Sequence, residues 1–308
     1  MIRSVLITGA NAGLGKEAAK QLAAHAEIDM IYLACRNPEK ALAAQKELEG
    51  ETGRSIFKIL IMDVSNLHSV RTAVQNLAKP VDALVMNAGG TGGRNFNRLN
   101  EQGVTEIFAV NLLGHAVLTE ELIKAQKLIK VAMYAGSEAA RGVQEMGMKQ
   151  PEFIDSSVEE FISVCDGSLF GDITDATIPY GPIKYMGAMW MSAMARRYPE
   201  VRFITMSPGA TTGTEGFNSL SFVKQYVMKT MMKVMLWLGK VHQVETGAQR
   251  YLRSLFDTSL VSGTFYASQK GLTGPISDQS KLFNDLANHK YQDNVYLAIK
   301  KICRLVKA

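Results

Sequence analysis

Short, almost continuously apolar segments alternate with segments of helical periodicity along most of this 308-residue chain. Strand-like runs occupy residues 4–8, 30–34, 57–62, 83–86, 131–135, 202–206 and 263–267, and the helix-like stretches between them include residues 38–49, 67–77, 103–129, 181–197 and 244–256. Apolar strands that alternate with helices pack as a parallel sheet covered on both faces. We therefore expect an α/β fold in three layers, a doubly wound parallel sheet of about seven strands between two layers of helices.

The composition is that of an ordinary globular domain, with 47% hydrophobic and 20% charged residues. No change in composition marks a boundary, so we expect residues 1–308 to form a single domain. Two segments interrupt the alternation, residues 141–179 and residues 210–240. Both follow strand-like runs, and open α/β sheets bind ligands beyond the carboxyl ends of their strands. These segments are therefore expected to cover a substrate.

A glycine-rich segment follows the first strand-like run and opens a helical pattern. It reads Thr8-Gly9-Ala10-Asn11-Ala12-Gly13-Leu14-Gly15. At such a turn, backbone N–H groups and the positive end of the helix dipole can hold a pyrophosphate. Gly9 would permit the tight turn, Gly13 the approach of the backbone to phosphates, and Gly15 the packing of helix on strand. The spacing differs from Gly-x-Gly-x-x-Gly, and an ordinary tight turn is the alternative interpretation of this segment taken alone.

Further motifs follow the glycine-rich turn in order along the chain. They are Asn87-Ala88-Gly89, Asn111, Ser137, Tyr180-x-x-x-Lys184 and Pro208-Gly209. With the Thr-Gly-x-x-x-Gly-x-Gly turn, this series resembles the short-chain dehydrogenase/reductase family, from about Arg3 to about Gly274. Within that family the chain is most similar to the branch of retinol dehydrogenases and light-dependent protochlorophyllide reductases, through Leu33-Ala34-Cys35-Arg36 and Asn111-Leu112-Leu113-Gly114-His115. The resemblance implies a Rossmann-like fold and a nicotinamide cofactor.

Four residues are expected to form the catalytic set: Asn111, Ser137, Tyr180 and Lys184. Tyr180 would exchange a proton with the substrate oxygen. A free phenol has a pKa of about 10, so a nearby cation is needed to stabilise the phenolate, and Lys184 lies one helical turn along on the same face. Ser137 would hydrogen-bond the substrate carbonyl. The resemblance adds that Lys184 holds the nicotinamide ribose and that Asn111 positions Lys184 through a water.

Taken singly, each of these residues also has a structural interpretation. Ser137 could cap a helix, Asn111 could be a buried helix residue, and Tyr180 and Lys184 could be a chance pair. The sequence also departs from the family pattern at two positions near these residues. Pro182 is expected in the first turn of a helix, where proline is tolerated, and Glu138 places a charge next to Ser137.

The cofactor is expected to be NADP(H). Enzymes that use NAD usually carry an acidic residue after the second strand, whereas this chain has Arg36, which can bind a 2′-phosphate bidentately. A merely exposed strand-end charge is the alternative for Arg36. By resemblance, the other cofactor-binding residues are Gly9, Asn11, Gly13, Leu14, Gly15, Asp63, Val64, Asn87, Ala88, Gly89, Tyr180, Lys184, Pro208 and Gly209. Asp63 could equally cap a helix.

Charge and cysteine usage exclude several other classes of function. The net charge of +5 comes without a compact basic run interleaved with aromatics, so nucleic acid is not expected as a partner. Neither the three cysteines nor the five histidines have metal-ligand spacing, so no metal is expected. No apolar run approaches the ~20 residues that span a bilayer, and no signal peptide is evident, so a cytoplasmic location is expected.

Two features keep peripheral membrane contact open. One is the methionine-rich stretch at residues 228–237, and the other is the basic end at residues 300–307. The alternatives are a helix that faces the core and a solvated helix end. A homo-oligomer is also left open, because many members of the family are dimers or tetramers.

The expected activity is NADPH-dependent hydride transfer between the nicotinamide and a carbonyl or alcohol of an apolar small molecule, with Tyr180 as acid and base. Reduction of a carbon–carbon double bond, as in the protochlorophyllide branch, is the alternative among enzymes. A protein that senses NADP(H) without turnover is the alternative outside them. The sequence names neither the substrate nor the physiological direction.

Overall fold

An eight-stranded sheet forms the centre of the computed structural model, which describes residues 1–143, 148–212, 236 and 241–305. The strands are β1 (Ser4–Thr8), β2 (Met30–Cys35), β3 (Phe57–Ile61), β4 (Val81–Met86), β5 (Leu128–Ala135), β6 (Arg202–Met206), β7 (Thr264–Lys270) and β8 (Thr273–Asp278). Their order is β3-β2-β1-β4-β5-β6-β7-β8, and only the β7–β8 pair is antiparallel. The doubly wound α/β fold is confirmed, and the sheet has one strand more than expected.

Helices connect the parallel strands, and a further helix follows the last strand. They are α1 (Gly13–Ala23), α2 (Pro38–Thr52), α3 (Leu67–Asn76), α4 (Glu106–Phe108), α5 (Gly114–Lys124), α6 (Val158–Cys165), α7 (Thr177–Arg197), α8 (Val244–Phe256) and α9 (His289–Leu305). A π-helical turn, Ala109–Leu113, joins α4 to α5, and a 3₁₀ turn, Glu138–Arg141, follows β5. Within the described ranges, no helix is long and apolar enough to cross a membrane.

Two apolar layers lie on opposite faces of the sheet. In β1, Val5 and Ile7 pack with α1, α2 and α8, whereas Leu6 packs with α3, α5, α7 and α9. Successive side chains of a strand point to opposite faces, which explains why both faces of these apolar strands are covered. The chain order reverses between β3 and β4, so a crevice opens at the carboxyl ends of β1 and β4.

Two helix predictions were wrong in detail. Residues 103–129 do not form one helix, because Gly103 lies in a turn at φ 69°, the Thr105 hydroxyl caps α4, and α5 ends at Lys124. Pro182 is not in the first turn of its helix. The Asp175 carboxylate accepts hydrogen bonds from Thr177, and α7 therefore begins earlier than predicted. Pro182 lies inside α7, where it has no N–H to donate along the helix.

Candidate active site

The glycine-rich turn packs so closely that side chains would not fit. Gly9 and Gly13 have φ of 64° and 54°, the left-handed region that favours glycine. A Cβ on Gly15 would lie 2.5 Å from both the carbonyl oxygen of Gly9 and Nδ2 of Asn87. No side chain caps the start of α1, so its first N–H groups are free to bind an anion. These residues fit the pyrophosphate of a dinucleotide cofactor.

The Asn87-Ala88-Gly89 segment lies against this turn. Asn87 Nδ2 donates to the carbonyl oxygens of Thr8, at 2.9 Å, and Gly9, at 3.2 Å. In return, the Thr8 hydroxyl accepts from the backbone N–H groups of Asn87 and Ala88, both at 2.9 Å. The carboxyl ends of β1 and β4 are therefore joined into one rigid edge of the crevice.

Asn111 lies on the π-helical turn and is fully buried. Its side chain pairs with Gly90, donating to the carbonyl oxygen at 2.7 Å and accepting from the N–H at 3.1 Å. Its backbone carbonyl oxygen accepts from the Tyr134 hydroxyl at 3.0 Å and lies 3.1 Å from His115 Nδ1. The π-helical turn thus leaves this carbonyl available to side chains.

His115 connects Asn111 to the glycine-rich turn, a role that the sequence analysis missed. A carbonyl can only accept, so Nδ1 carries the proton towards Asn111, and Nε2 accepts from the Thr8 hydroxyl 3.0 Å away. Burial lowers the pKa of His115 to about 4, which keeps the ring neutral. His115 lies four residues after Asn111, on the same helical face, and this spacing was the sequence signal that could have predicted their contact.

Ser137, Tyr180 and Lys184 meet at the end of β5. The Ser137 side chain lies beside the Tyr180 hydroxyl, close enough to lower its pKa as a hydrogen-bond donor to the phenolate. The Ser137 hydroxyl accepts from the Ala139 N–H at 3.2 Å. Lys184 is buried, and its Nζ donates to the Ala135 carbonyl oxygen at 2.9 Å. The same Nζ lies 5.6 Å from the centre of the Tyr180 ring.

Burial shifts the pKa values of Tyr180 and Lys184 in the directions that favour the neutral form of each side chain. It raises the pKa of Tyr180 to about 12; the hydrogen bond with Ser137 opposes this change and the charge of Glu138 adds to it. It lowers the pKa of Lys184 to about 7. A phenol that stays protonated at neutral pH can act as an acid, and a charged lysine beside it would favour the phenolate.

The residues predicted for the adenosine end lie at the carboxyl ends of β2 and β3. Arg36 directly follows β2 and is exposed, and no described residue forms an ion pair with it. The Asp63 carboxylate accepts from the N–H and hydroxyl of Ser65, at 3.0 and 2.8 Å. It is not the cap of α3, which is Asn66. Val64 packs so tightly on α5 that a Cβ on Gly114 would lie 1.7 Å from its carbonyl oxygen.

Pro208 and Gly209 follow β6, next to a buried cluster of charges. Gly209 has φ of 78°, and its N–H donates to the Ser207 hydroxyl at 3.2 Å. That hydroxyl also donates to the carboxylate of Glu138, which lies 3.6 Å from Arg250. Arg250 was not predicted, because nothing in the local sequence of α8 links it to Ser137.

The segment after Ser137 borders a cavity of about 810 Å³. Residues 141–143, 148–150 and 152 line it on one side and the β7–β8 turn on the other. Three bases, Arg141, Lys149 and Lys270, and one acid, Glu152, are among the side chains that line it. Most of the second interrupting segment, including the methionine-rich stretch, lies outside the described residues. At the basic end, Lys300 pairs with Glu120 at 2.6 Å and Ile302 is buried in the core.

Comparisons with known proteins show similarity to short-chain dehydrogenases. A family model described as short chain dehydrogenase matches residues 3–139. Human retinol dehydrogenase 13 is 36% identical over 128 residues, which cover 41% of this chain and 38% of that protein. Bovine dehydrogenase/reductase SDR family member 12 is 28% identical over 210 residues, 67% of this chain and 60% of that protein. A short-chain dehydrogenase/reductase of Armillaria gallica is 30% identical over 216 residues, 67% of this chain and 64% of that protein. The chain thus spans less than two thirds of the length of these relatives.

Solved structures share the fold. The NADPH-bound carbonyl reductase from chicken fatty liver has a TM-score of 0.58 at 17% identity, over 89% of this chain and 99% of that chain. A variant of actinorhodin polyketide ketoreductase with NADPH has a TM-score of 0.62 at 18% identity, over 86% and 94%. By sequence, the chain is similar to the short-chain dehydrogenase/reductase family, and within it to retinol dehydrogenases.

Proposed function

We propose that this protein is an NADP(H)-dependent oxidoreductase that transfers a hydride between the nicotinamide and a carbonyl or alcohol carbon of an apolar small molecule. One observation carries the proposal. The Tyr180 side chain lies beside Ser137, and Lys184 Nζ lies 5.6 Å from the centre of its ring, at the carboxyl end of β5. A phenol, a hydroxyl and an amine that converge in this way can exchange a proton with a substrate oxygen.

The cofactor would bind along the carboxyl edge of the sheet. The glycine-rich turn and the start of α1 would hold the pyrophosphate, and Arg36 the 2′-phosphate. Around the adenine and the nicotinamide, the family resemblance assigns contacts to Asp63, Val64, Asn87, Ala88, Gly89, Pro208 and Gly209. When bound, the nicotinamide cofactor supplies or accepts the hydride.

Tyr180 is the proposed proton donor and acceptor. In reduction, its hydroxyl gives a proton to the carbonyl oxygen as the carbon receives the hydride, and Ser137 donates a hydrogen bond that orients the same oxygen. In oxidation, Tyr180 removes the alcohol proton, and a protonated Lys184 stabilises the phenolate that starts this step. By the family resemblance, Asn111 would position Lys184 through a water.

The segments at residues 141–179 and 210–240 are proposed to cover the substrate. The cavity lined by residues 141–143 and 148–150 lies close to the start of α7, since a Cβ on Gly181 would be 2.8 Å from the Ala139 carbonyl oxygen and 3.7 Å from Pro151. Its basic lining suits a substrate that carries a polar group at one end of an apolar body. The substrate class therefore needs a direct test.

The test is oxidation of NADPH by the purified protein with a panel of aldehydes, ketones, retinoids and enones. We expect turnover that is lost in Tyr180→Phe although the variant still binds NADPH, and retained in Tyr32→Phe, which removes the hydroxyl of a buried tyrosine on β2. An alcohol product supports the proposal, whereas a saturated carbonyl from an enone favours the double-bond reductase. Tight NADPH binding without turnover of any compound would replace the enzyme proposal with the sensor.

A further inference from the structure

A single carboxylate joins three strands next to the proposed active site. Glu138 directly follows Ser137 and is only 4% exposed. Its carboxylate accepts from the hydroxyl of Ser207, at the end of β6, and from the N–H and hydroxyl of Ser268 in β7, at 3.2 and 3.0 Å. The carboxyl ends of β5, β6 and β7 are thereby connected through one anionic group.

Arg250 neutralises this carboxylate. Its Nη1 lies 3.6 Å from Glu138 Oε1, and it donates to the Ser268 hydroxyl at 3.1 Å and to the Ser207 carbonyl oxygen at 3.3 Å. Its Nη2 donates to the Gly274 carbonyl oxygen at 2.7 Å and lies 3.0 Å from His242 Nε2. Arg250 is 7% exposed, so the ion pair is removed from water on both sides.

The same cluster holds the backbone after β6. A Cβ on Gly209 would lie 2.7 Å from the ring of His242. The backbone N–H of His242 donates to the Ala210 carbonyl oxygen at 2.6 Å, and the Thr212 N–H donates to the His242 carbonyl oxygen at 2.8 Å. Residues 207–212 therefore rest on the Glu138–Arg250 pair and on His242. By resemblance, Pro208 and Gly209 in this stretch lie beside the nicotinamide.

We propose that Glu138 and Arg250 are positioning residues that hold Ser137 and the Pro208-Gly209 backbone in register and keep this end of the cofactor site electrically neutral. The proposal rests on the function proposed above. The oxidised nicotinamide ring is a cation and the reduced ring is neutral. A balanced ion pair favours neither form, whereas one uncompensated buried charge discriminates between them because it acts in a medium of low dielectric constant.

Variants that remove the charge of Glu138 or of Arg250 alone distinguish an electrostatic role of the pair from a purely structural one. In Glu138→Gln, the remaining Arg250 cation should repel the oxidised ring, so that NADP⁺ binding weakens more than NADPH binding. In Arg250→Met, the remaining Glu138 anion should favour the oxidised ring and shift the preference in the opposite direction. The double variant leaves no charge at either of these two positions and should bind the two forms in the wild-type ratio.

The measurement is the dissociation constant of NADP⁺ and of NADPH, by calorimetry on the full chain without substrate. We expect the ratio of NADP⁺ to NADPH constants to rise roughly three- to tenfold in Glu138→Gln and to fall by a similar factor in Arg250→Met. Ser268→Ala removes the hydroxyl that contacts both Glu138 and Arg250 but changes no charge, so it is the control and should leave the ratio unaltered. Equal losses of both affinities in the two single variants would overturn the proposal.

If a single variant fails to fold, His242→Glu provides the second route. His242 is half-buried, and a carboxylate there would add an anion beside Arg250 without removing either partner. This variant should favour NADP⁺ as Arg250→Met does, and an unchanged ratio would refute the electrostatic role. A wild-type protein that binds neither cofactor form would overturn both this inference and the proposed function. Binding with an unchanged ratio in every variant would overturn only this one.

Discussion

The Nζ atom of Lys184 lies 5.6 Å from the centre of the Tyr180 ring and 4.9 Å from that of Tyr134. The lysine is therefore held between the proposed catalytic phenol on α7 and a fully buried tyrosine on β5, with the Ala135 carbonyl as its hydrogen-bond acceptor. An amine placed this deeply in the protein loses hydration when it is charged, and its protonation becomes sensitive to whatever approaches it.

Lys184→Met is expected to stabilise the protein while abolishing turnover. The pKa of Lys184 falls from 10.5 to about 7 on folding because of burial, so the unfolded chain binds the proton more tightly. The free energy of unfolding of the wild type should therefore rise with pH between about 7 and about 10.5. Below about pH 7 the folded protein bears the full free-energy cost of burying the charged lysine. Lys184→Met should raise the free energy of unfolding by on the order of 3 kcal/mol at pH 6, and this gain should shrink towards pH 10. Urea unfolding at several pH values measures it, and a gain independent of pH would contradict the expectation.

Arg36→Ala should weaken NADPH binding at least about tenfold and leave NADH binding nearly unchanged. The reason is that a guanidinium at this strand end can bind the 2′-phosphate bidentately and has no equivalent partner in NADH. Titration of the protein with each cofactor measures the effect. Lys46→Ala removes another exposed base on α2 and serves as the control for net charge. Equal losses for both cofactors in Arg36→Ala would refute the preference for NADP(H).

Gly15→Ala should disrupt both stability and cofactor binding. The added Cβ would approach the Gly9 carbonyl oxygen and Asn87 Nδ2 to 2.5 Å, so the edge formed by β1 and β4 must shift. Gly50→Ala is the matched control, since Gly50 lies in α2 with no atom within 4 Å of its added Cβ. That variant should be more stable by about 0.5–1 kcal/mol. Thermal unfolding with and without NADPH tests the pair, and similar behaviour of the two variants would show that the close approach is unimportant.

Gly187→Ala should destabilise the protein by roughly 2 kcal/mol, because its Cβ would lie 2.4 Å from Cε1 of the buried Tyr134 ring. Tyr134→Phe should cost about 1 kcal/mol through the lost hydrogen bond to the Asn111 carbonyl. In a Tyr134→Leu background, Gly187→Ala should be much less harmful. A double-mutant cycle in urea measures this coupling, and strictly additive effects would show that the two residues do not share one packing constraint.

Much of the fold could be predicted because its signals are local. All seven predicted strand segments lie within observed strands or overlap them, since their apolar character on both faces reflects burial between helices. The strand β8 escaped prediction, because Thr273–Asp278 is an edge strand with little apolar content. The break of residues 103–129 into α4, the π-helical turn and α5 was equally hidden, since helical periodicity continues through it.

The sequence by itself determined where seven of the strands lie along the chain, the glycine-rich turn, and the placement of Tyr180 and Lys184 on one helical face. Each depends on neighbours within a few residues, where backbone sterics and helical periodicity decide the outcome. Only the tertiary structure decided that Glu138 meets Arg250, that His115 meets Thr8, and that Tyr134 packs on Gly187. Those contacts join distant parts of the chain, and they exist because the strand order brings particular strand ends and helix faces together. Residue type alone carries no record of that order.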